Sequence, residues 1–142
     1  MKVKNKMKLS FLSLSENEMF ARSVVGCFAL QINPSVSDIS DIKTAVSEAV
    51  TNCIVHGYPE TVGEITIECE IEGNSLHISV YDNGVGIDNI ERAIEPFYTT
   101  KEDEERSGMG FTIMQSFMDK VEVFSKKNEG TKVYMLKTTK SD

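Results

Sequence analysis

The sequence lacks the features that mark nucleic-acid-binding proteins and membrane proteins. Lysine and arginine number 15 against 22 aspartates and glutamates, so the formal net charge is -7 and no basic surplus neutralises nucleic-acid phosphates. No segment approaches the roughly 20 apolar residues of a membrane-spanning helix, and the basic start lacks the apolar stretch and cleavage site of a signal peptide. We therefore expect a cytoplasmic protein that binds neither DNA nor a membrane.

Cysteine is also scarce. The chain has 3 cysteines, an odd number, and no pair of them has the CxxC spacing of zinc or redox sites. Cys27, Cys53 and Cys69 each lie in an apolar periodic stretch, which predicts that all are small residues of the core.

What remains is the composition of an ordinary globular domain. The chain has 142 residues, of which 40% are hydrophobic and 26% charged, so it can bury a core. Alternating apolar residues predict strands around 7–11, 64–71, 75–81, 121–124 and 132–136. Helical segments between the strands predict an α+β fold with helices on one face of a largely antiparallel, mixed sheet. A single domain should cover residues 1–142.

Residues at helical spacing predict three helices. Ser15 and Glu18 have the spacing of a capping box at the start of the first helix. Its buried stripe is expected at five positions: Met19, Phe20, Val24, Cys27 and Phe28. The second helix should begin near Ser37 and bury Ile39, Ile42, Val46, Ala49 and Cys53. The third should begin near Phe111.

Two polar residues on the second helix are candidates for chemistry. Glu48 and Asn52 are four residues apart, so they lie one above the other on one face, roughly 120° from the centre of the apolar stripe. The spacing occurs readily by chance. On its own it fits two solvated side chains equally well.

The residues from Asp82 to Gly86 place a carboxylate and two glycines directly after a predicted strand. The glycines allow the backbone to fold close to a ligand, and a planar ligand would suit the corner. A plain Asn-Gly hairpin turn is the alternative, but no alternating strand follows Gly86. A calcium loop is excluded because its alternating acidic residues and its closing glutamate are missing.

A third candidate is the glycine-rich segment 107–110. If the helix begins near Phe111, the backbone N–H groups of this segment are free to bind an anion such as phosphate, although a flexible hinge is equally possible. The Rossmann and Walker patterns are both absent. The aperiodic stretch 83–110 is long for a compact domain and is therefore expected to be functional or disordered.

The order of these segments resembles the GHKL superfamily of gyrase, Hsp90, histidine kinase and MutL ATPases, which share the Bergerat fold. Residues 48–52 resemble its N box, residues 82–86 its first glycine box and residues 108–110 its second, and the stretch of about 87–110 resembles its ATP lid. The sequences of segments 47–52, 56–58, 97–101 and 105–111 are similar to those of the anti-sigma factor serine kinases, and most similar to the anti-sigma-F group.

The resemblance implies a role for each residue that matches a motif. Asn52 would bind Mg²⁺, and Glu48 would be the general base that accepts the proton of the attacking hydroxyl. Asp82 would accept a hydrogen bond from the adenine amino group. The remaining nucleotide contacts would come from Gly84, Gly86, Thr99, Lys101, Arg106, Gly108, Met109, Gly110 and Thr131.

The resemblance also implies partners. A homodimer that binds ATP or ADP with Mg²⁺ would, with ATP bound, hold a sigma-F-like sigma factor and phosphorylate a serine of an anti-anti-sigma factor, with Arg22 on the shared partner surface. A stress-response kinase of the RsbW type would have the same chemistry and another sigma factor. An ATP-dependent clamp of the Hsp90 or MutL kind is less favoured, because such proteins need further domains.

Overall fold

The computed structural model describes residues 4–86 and 105–140, with side chains described outside 105–109. The described strands are β1 (Asn5–Leu12), β2 (Glu64–Glu72), β3 (Ser75–Asp82), β4 (Lys120–Lys126) and β5 (Gly130–Thr138). The α-helices of these ranges are α1 (Glu16–Ala29), α2 (Val36–Asn52) and α3 (Glu105–Phe117). A short 3-10 helix, Leu30–Ile32, follows α1, and a π-helical turn, Cys53–Gly57, continues α2. The predicted α+β class is confirmed.

The strands form one five-stranded sheet in the order β1-β2-β3-β5-β4. Every pairing in it is antiparallel, so the expectation of a mixed sheet is wrong for the described strands. Two of the pairings, β2 with β3 and β4 with β5, are joined by short turns, which only antiparallel neighbours allow, whereas β1 with β2 and β3 with β5 pair across intervening elements. Between β2 and β3 the turn contains Gly73, whose φ is +57°.

The core lies between one face of the sheet and the helices. Strand residues on this face are buried at alternate positions, as the pattern predicted. Helix α2 lies between α1 and α3 and packs against both. Its buried residues are Ile42, Ala45, Val46, Ala49 and Val50, which agrees with most of the predicted stripe. No helix in the described ranges is long and apolar enough to cross a membrane.

The predicted features of α1 are partly wrong. Ser15 makes no side-chain cap, and its hydroxyl donates to Glu16 instead. The buried residues of the helix are Ala21, Val25, Gly26 and Ala29. Of the predicted stripe, Val24 and Phe28 are half-buried, whereas Met19, Phe20 and Cys27 are exposed. Small residues face α2 because they allow the two helices to approach closely, and this places the bulkier side chains outside.

The capping box belongs to α2 rather than to α1. The Ser35 hydroxyl accepts a hydrogen bond from the Asp38 backbone N–H at 3.0 Å, and the Asp38 carboxylate accepts one from the Ser35 N–H at 3.0 Å. The helix therefore begins at Val36, one residue before the predicted start. Both cap bonds satisfy backbone donors that the first turn leaves free.

Candidate functional site

The π-helical turn at the end of α2 brings the backbone against the end of β3. The Gly57 carbonyl accepts a hydrogen bond from the Val85 N–H at 3.0 Å. A side chain on Gly57 would meet the Asp82 carboxylate, since its Cβ would lie 2.6 Å from Oδ2. Turns of this kind inside α-helices are frequent at functional sites. Here the turn places the end of the helix in contact with the carboxylate of Asp82, a predicted site residue.

Asp82 is buried, with 5% of its surface exposed. Its Oδ1 accepts a hydrogen bond from the Gly84 N–H at 2.8 Å. Burial raises the pKa of the nearby Cys53 thiol well above its ordinary value, and the Asp82 charge raises it further. Thr131 lies directly opposite Asp82 on β5, as strand register dictates. The adenine candidates thus share one end of the sheet.

The two glycines after Asp82 are required by the protein's own backbone. A Cβ on Gly84 would lie 1.9 Å from the Gly57 carbonyl oxygen, and one on Gly86, whose φ is +75°, would lie 1.9 Å from the Lys126 carbonyl oxygen. The sequence pattern predicted that both allow the backbone to approach a ligand closely. Packing against the π-helical turn and against the end of β4 already explains why both positions require glycine.

Glu48 and Asn52 come together with Gly110. A Cβ on Gly110 would lie 3.1 Å from Oε2 of Glu48 and 3.5 Å from the amide nitrogen of Asn52. The missing side chain therefore lets α3 pack onto the polar face of α2. Nδ2 of Asn52 is buried and has no hydrogen-bond partner among the described residues. A buried amide donor of this kind is unusual in a native protein and points to a ligand.

The glycine-rich segment lies inside α3 rather than before it. The helix begins at Glu105, so the prediction of a start near Phe111 is wrong by about two turns. Only the first four N–H groups of a helix are free, so those of Met109 and Gly110 lie beyond the free set. The N–H of Gly108 is the fourth and last of these free groups. The first turns of α3 are polar, so apolar residues at helical spacing do not mark where this helix begins.

The other predicted residues lie apart from this cluster or outside the described ranges. Arg22 is on α1, where its Nε lies 3.8 Å from Oε2 of Glu18, whose carboxylate also accepts a hydrogen bond from Ser47 on α2. Thr99, Lys101 and most of the predicted lid fall in 87–104, outside the described residues. Arg106 is in the first turn of α3, and its side chain is not among those described.

Tyr58 was missed as a contributor to the site. Its hydroxyl donates to the Glu64 carbonyl at 2.7 Å and accepts from the Asn83 N–H at 2.9 Å, which fixes the corner after Asp82. Its ring packs on Gly63, where a Cβ would lie 2.2 Å from it. The His-Gly-Tyr sequence at the end of the helix could have pointed to Tyr58, but it was used only as part of the family resemblance.

A groove of about 630 Å³ opens at the same end of the sheet. Asp82 and Thr131 line it together with Tyr81, Phe124 and Lys132. Glu48 and Asn52 do not line it. Tyr81, Lys132 and Phe124 are register partners on the sheet face away from the helices, whereas Asp82, the next residue of β3, points to the helical face, where it meets Gly57. The groove therefore lies mainly on the face opposite the Asp82 side chain, Glu48 and Asn52. Among the described residues no cluster of three or more His, Cys, Asp or Glu side chains could hold a metal ion.

The chain is similar in sequence to known proteins over nearly its whole length. Residues 13–137 match the histidine kinase-like ATPase domain family. The anti-sigma F factor of Thermoanaerobacter sp. strain X514 is 56% identical over 100% of this chain and 99% of its own length. The anti-sigma F factor of Clostridium acetobutylicum is 55% identical over 95% of this chain and 94% of its own length.

Solved structures share the fold at low sequence identity. The RsbU and RsbW domains of Rv1364c from Mycobacterium tuberculosis match with a TM-score of 0.67 and 18% identity, over 95% of this chain and 32% of that one. The catalytic domain of the histidine kinase ThkA matches with a TM-score of 0.60 and 20% identity, over 97% of this chain and 96% of that one. From the family match and the full-length relatives together, the chain belongs to the histidine kinase-like ATPase family and, within it, to the anti-sigma F factors.

Proposed function

We propose that this protein is an ATP-dependent anti-sigma factor that is also a protein serine kinase. With ATP bound it would hold a sigma-F-like sigma factor, and it would transfer phosphate to a serine of an anti-anti-sigma factor. The names of its full-length relatives support the first activity. The polar cluster of Glu48 and Asn52 against Gly110 supports the second. We further propose that residues 1–142 form one cytoplasmic domain that assembles as a homodimer.

Asp82 is the proposed recognition group for adenine. A buried carboxylate presents only acceptors when ionised, so it can bind the exocyclic amino group of adenine but not the oxygen that guanine carries there. Thr131 is its neighbour across the strand pair and would line the same end of the base. Gly84 and Gly86 would shape the corner around it. We expect ATP and ADP to bind, and GTP to compete poorly.

The phosphates would lie toward the start of α3. Its free N–H groups are those of 105–108, and they point out of a helix terminus that favours negative charge. Gly108 supplies one of these N–H groups, and Arg106 would add a cation. Phosphate contacts from the N–H groups of Met109 and Gly110 would require the first turns of α3 to open. Thr99 and Lys101 keep the roles that the resemblance implies.

Asn52 fits a magnesium-bound phosphate chain. Its amide supplies a hard oxygen, which Mg²⁺ prefers, and an amide donor that lacks a partner among the described residues. Since no larger acidic cluster is found in the described ranges, phosphate oxygens and water would supply the other ligands. Bound Mg²⁺ would neutralise phosphate charge during transfer. Asn52 itself would orient the phosphates beside Glu48.

Glu48 is the proposed general base. It is half-buried on the same face of α2 as Asn52, one turn away, so its carboxylate can receive the proton of a serine hydroxyl that attacks the terminal phosphate. The partner serine would approach this carboxylate beside Gly110, which carries no side chain. Removing the base leaves binding groups in place, so binding and transfer can be separated.

The observation that carries the proposal is the convergence of Glu48, Asn52 and Gly110, and Glu48→Gln tests it. The variant should bind ATP as the parent does but transfer phosphate to the anti-anti-sigma factor about 10²- to 10⁴-fold more slowly. Asn52→Ala, as the matched variant one turn away, should instead lose the Mg²⁺-dependent part of ATP affinity. Full transfer by Glu48→Gln would refute the assignment of Glu48 as the general base. ATP-dependent partner binding without any transfer by the parent would favour the clamp.

A further inference from the structure

We propose that Lys137 is a positioning residue for phosphate transfer. Its ammonium group joins α2 to the end of α3 and thereby sets the register in which Gly110 faces Glu48 and Asn52. The inference rests on the proposed kinase function. It assigns a role to a residue that belongs to none of the sequence motifs.

Lys137 is a charged residue in a position that a core normally fills with an apolar side chain. It belongs to β5, where the alternate residues Val133 and Met135 are buried against the helices, and it is itself only 8% exposed. No other lysine or arginine among the described side chains is buried. Burying an ammonium group costs free energy unless the group is paired, so its partners must offset that cost.

Both partners of this ammonium group are on the helices. Nζ of Lys137 donates to the Phe117 carbonyl at 2.7 Å and to Oδ2 of Asp41 at 3.2 Å. Phe117 is the last residue of α3, so its carbonyl has no partner within the helix, and a cation there also complements the helix dipole. Asp41 is on the second turn of α2. One ammonium group therefore connects β5, α2 and α3.

This connection fixes how far along α2 the helix α3 lies. Asp41 lies two turns before Glu48 on α2. Phe117 lies two turns after Gly110 on α3. Each pair therefore spans about 10 Å along its helix, so the two contacts between these antiparallel helices are spaced alike on both. The register that the ammonium group holds at one end is thus the register that brings Gly110 to Glu48 at the other.

A plain apolar residue at position 137 would not hold this register. Apolar packing is non-directional and loses uniqueness before it loses stability, whereas an ammonium group bound to two oxygen atoms defines one position. Helix α3 supplies the free N–H groups proposed for the phosphates, and α2 supplies the proposed base. A shift of one helix along the other should therefore affect transfer most, because a displacement of about 1 Å can slow a positioned reaction about 10²-fold.

The test is Lys137→Met, which keeps a long apolar side chain and removes the ammonium group. At saturating ATP and well below the unfolding temperature, this variant should transfer phosphate to the anti-anti-sigma factor about 10- to 100-fold more slowly, with ATP affinity within about threefold of the parent. Lys120→Met is the matched control, because Nζ of Lys120 lies 3.1 Å from Oε1 of Glu122 on the surface of β4, and it should change neither quantity. A parental transfer rate in Lys137→Met would overturn the proposal, and so would an equal loss of affinity and rate.

Two double variants separate positioning from stability. Removing one partner of a buried ion pair destabilises a protein, so Lys137→Met is also combined with Asp41→Asn, which leaves no unpaired charge. This protein should unfold at a urea midpoint nearer the parent's and still transfer slowly, whereas recovery of the rate together with stability would refute a positioning role. In the second, Lys137→Met is combined with Glu48→Gln, and the slowing should be smaller than the product of the two single effects, since an absent base cannot be misplaced. Effects that multiply would show that Lys137 does not act through the register of Glu48.

The same measurements distinguish this inference from the proposed function. If Glu48→Gln transfers slowly and Lys137→Met transfers at the parental rate, the proposed base stands and the role of Lys137 is refuted. If the parent transfers no phosphate, or if Glu48→Gln transfers at the full rate, the proposed chemistry is wrong and the role of Lys137 falls with it.

Discussion

Replacing Gly57 by alanine should damage both the fold and the nucleotide site. The φ angle of Gly57 is not positive, so its backbone accepts alanine without strain. The added Cβ would lie 2.6 Å from Oδ2 and 2.8 Å from Cγ of Asp82. Carbon and oxygen need about 3.4 Å, so the carboxylate must retreat by roughly 0.8 Å.

That movement should break the hydrogen bond that holds the carboxylate. The Gly84 N–H lies 2.8 Å from Oδ1, and a retreat of this size takes it to about 3.6 Å, beyond hydrogen-bonding distance. Hydrogen bonds to charged groups contribute about 1.5–3 kcal/mol. For a domain of this size, 2 kcal/mol lowers the Tm by roughly 8 °C. ATP affinity should fall as well, since Asp82 no longer faces the base.

The measurement is urea unfolding together with ATP binding by calorimetry. Gly26→Ala is the matched control, because Gly26 is also a buried glycine and the nearest atoms to its added Cβ would be those of the Lys43 side chain, at 3.0 Å. Lys43 can move, and alanine favours a helix by about 1 kcal/mol over glycine, so this variant should keep or gain stability. A Gly57→Ala protein that unfolds at the parent's urea midpoint and binds ATP unchanged would refute the reasoning.

Three further predictions concern separate parts of the molecule. Asp82→Asn should weaken ATP by about tenfold or more while the far-ultraviolet circular dichroism stays the same, and undiminished ATP affinity would remove Asp82 from the adenine site. Arg22→Glu should keep ATP binding but weaken both protein partners in pull-down assays with ATP or ADP, whereas unaltered binding of both would end the idea of a shared surface. Because the Ser35 backbone N–H lowers the pKa of Asp38, its cap contributes fully above the ordinary value of 3.8 and is lost as pH falls through the depressed value. Asp38→Ala should therefore lower the urea midpoint at pH 7, and the gap to the parent should close on acidification.

The sequence predicted the elements whose signal is local. Alternation predicted every described strand, because half-buried strands expose every second residue. Helix α2 was also predicted well, since its apolar residues recur at helical spacing. The failures are at α1 and α3. Helix α1 buries its small residues against α2, and the first turns of α3 are polar, so neither helix carries a buried stripe of large apolar residues at helical spacing.

The sequence by itself determined the α+β class, the family resemblance and the pairing of Glu48 with Asn52, because each depends on spacing within one element. Tertiary structure alone decided which distant residues meet. It placed Gly110 against the Glu48 and Asn52 pair and Gly57 against Asp82. Helix packing and the π-helical turn fix these contacts between elements far apart in the chain, and no local pattern records how closely two backbones will approach.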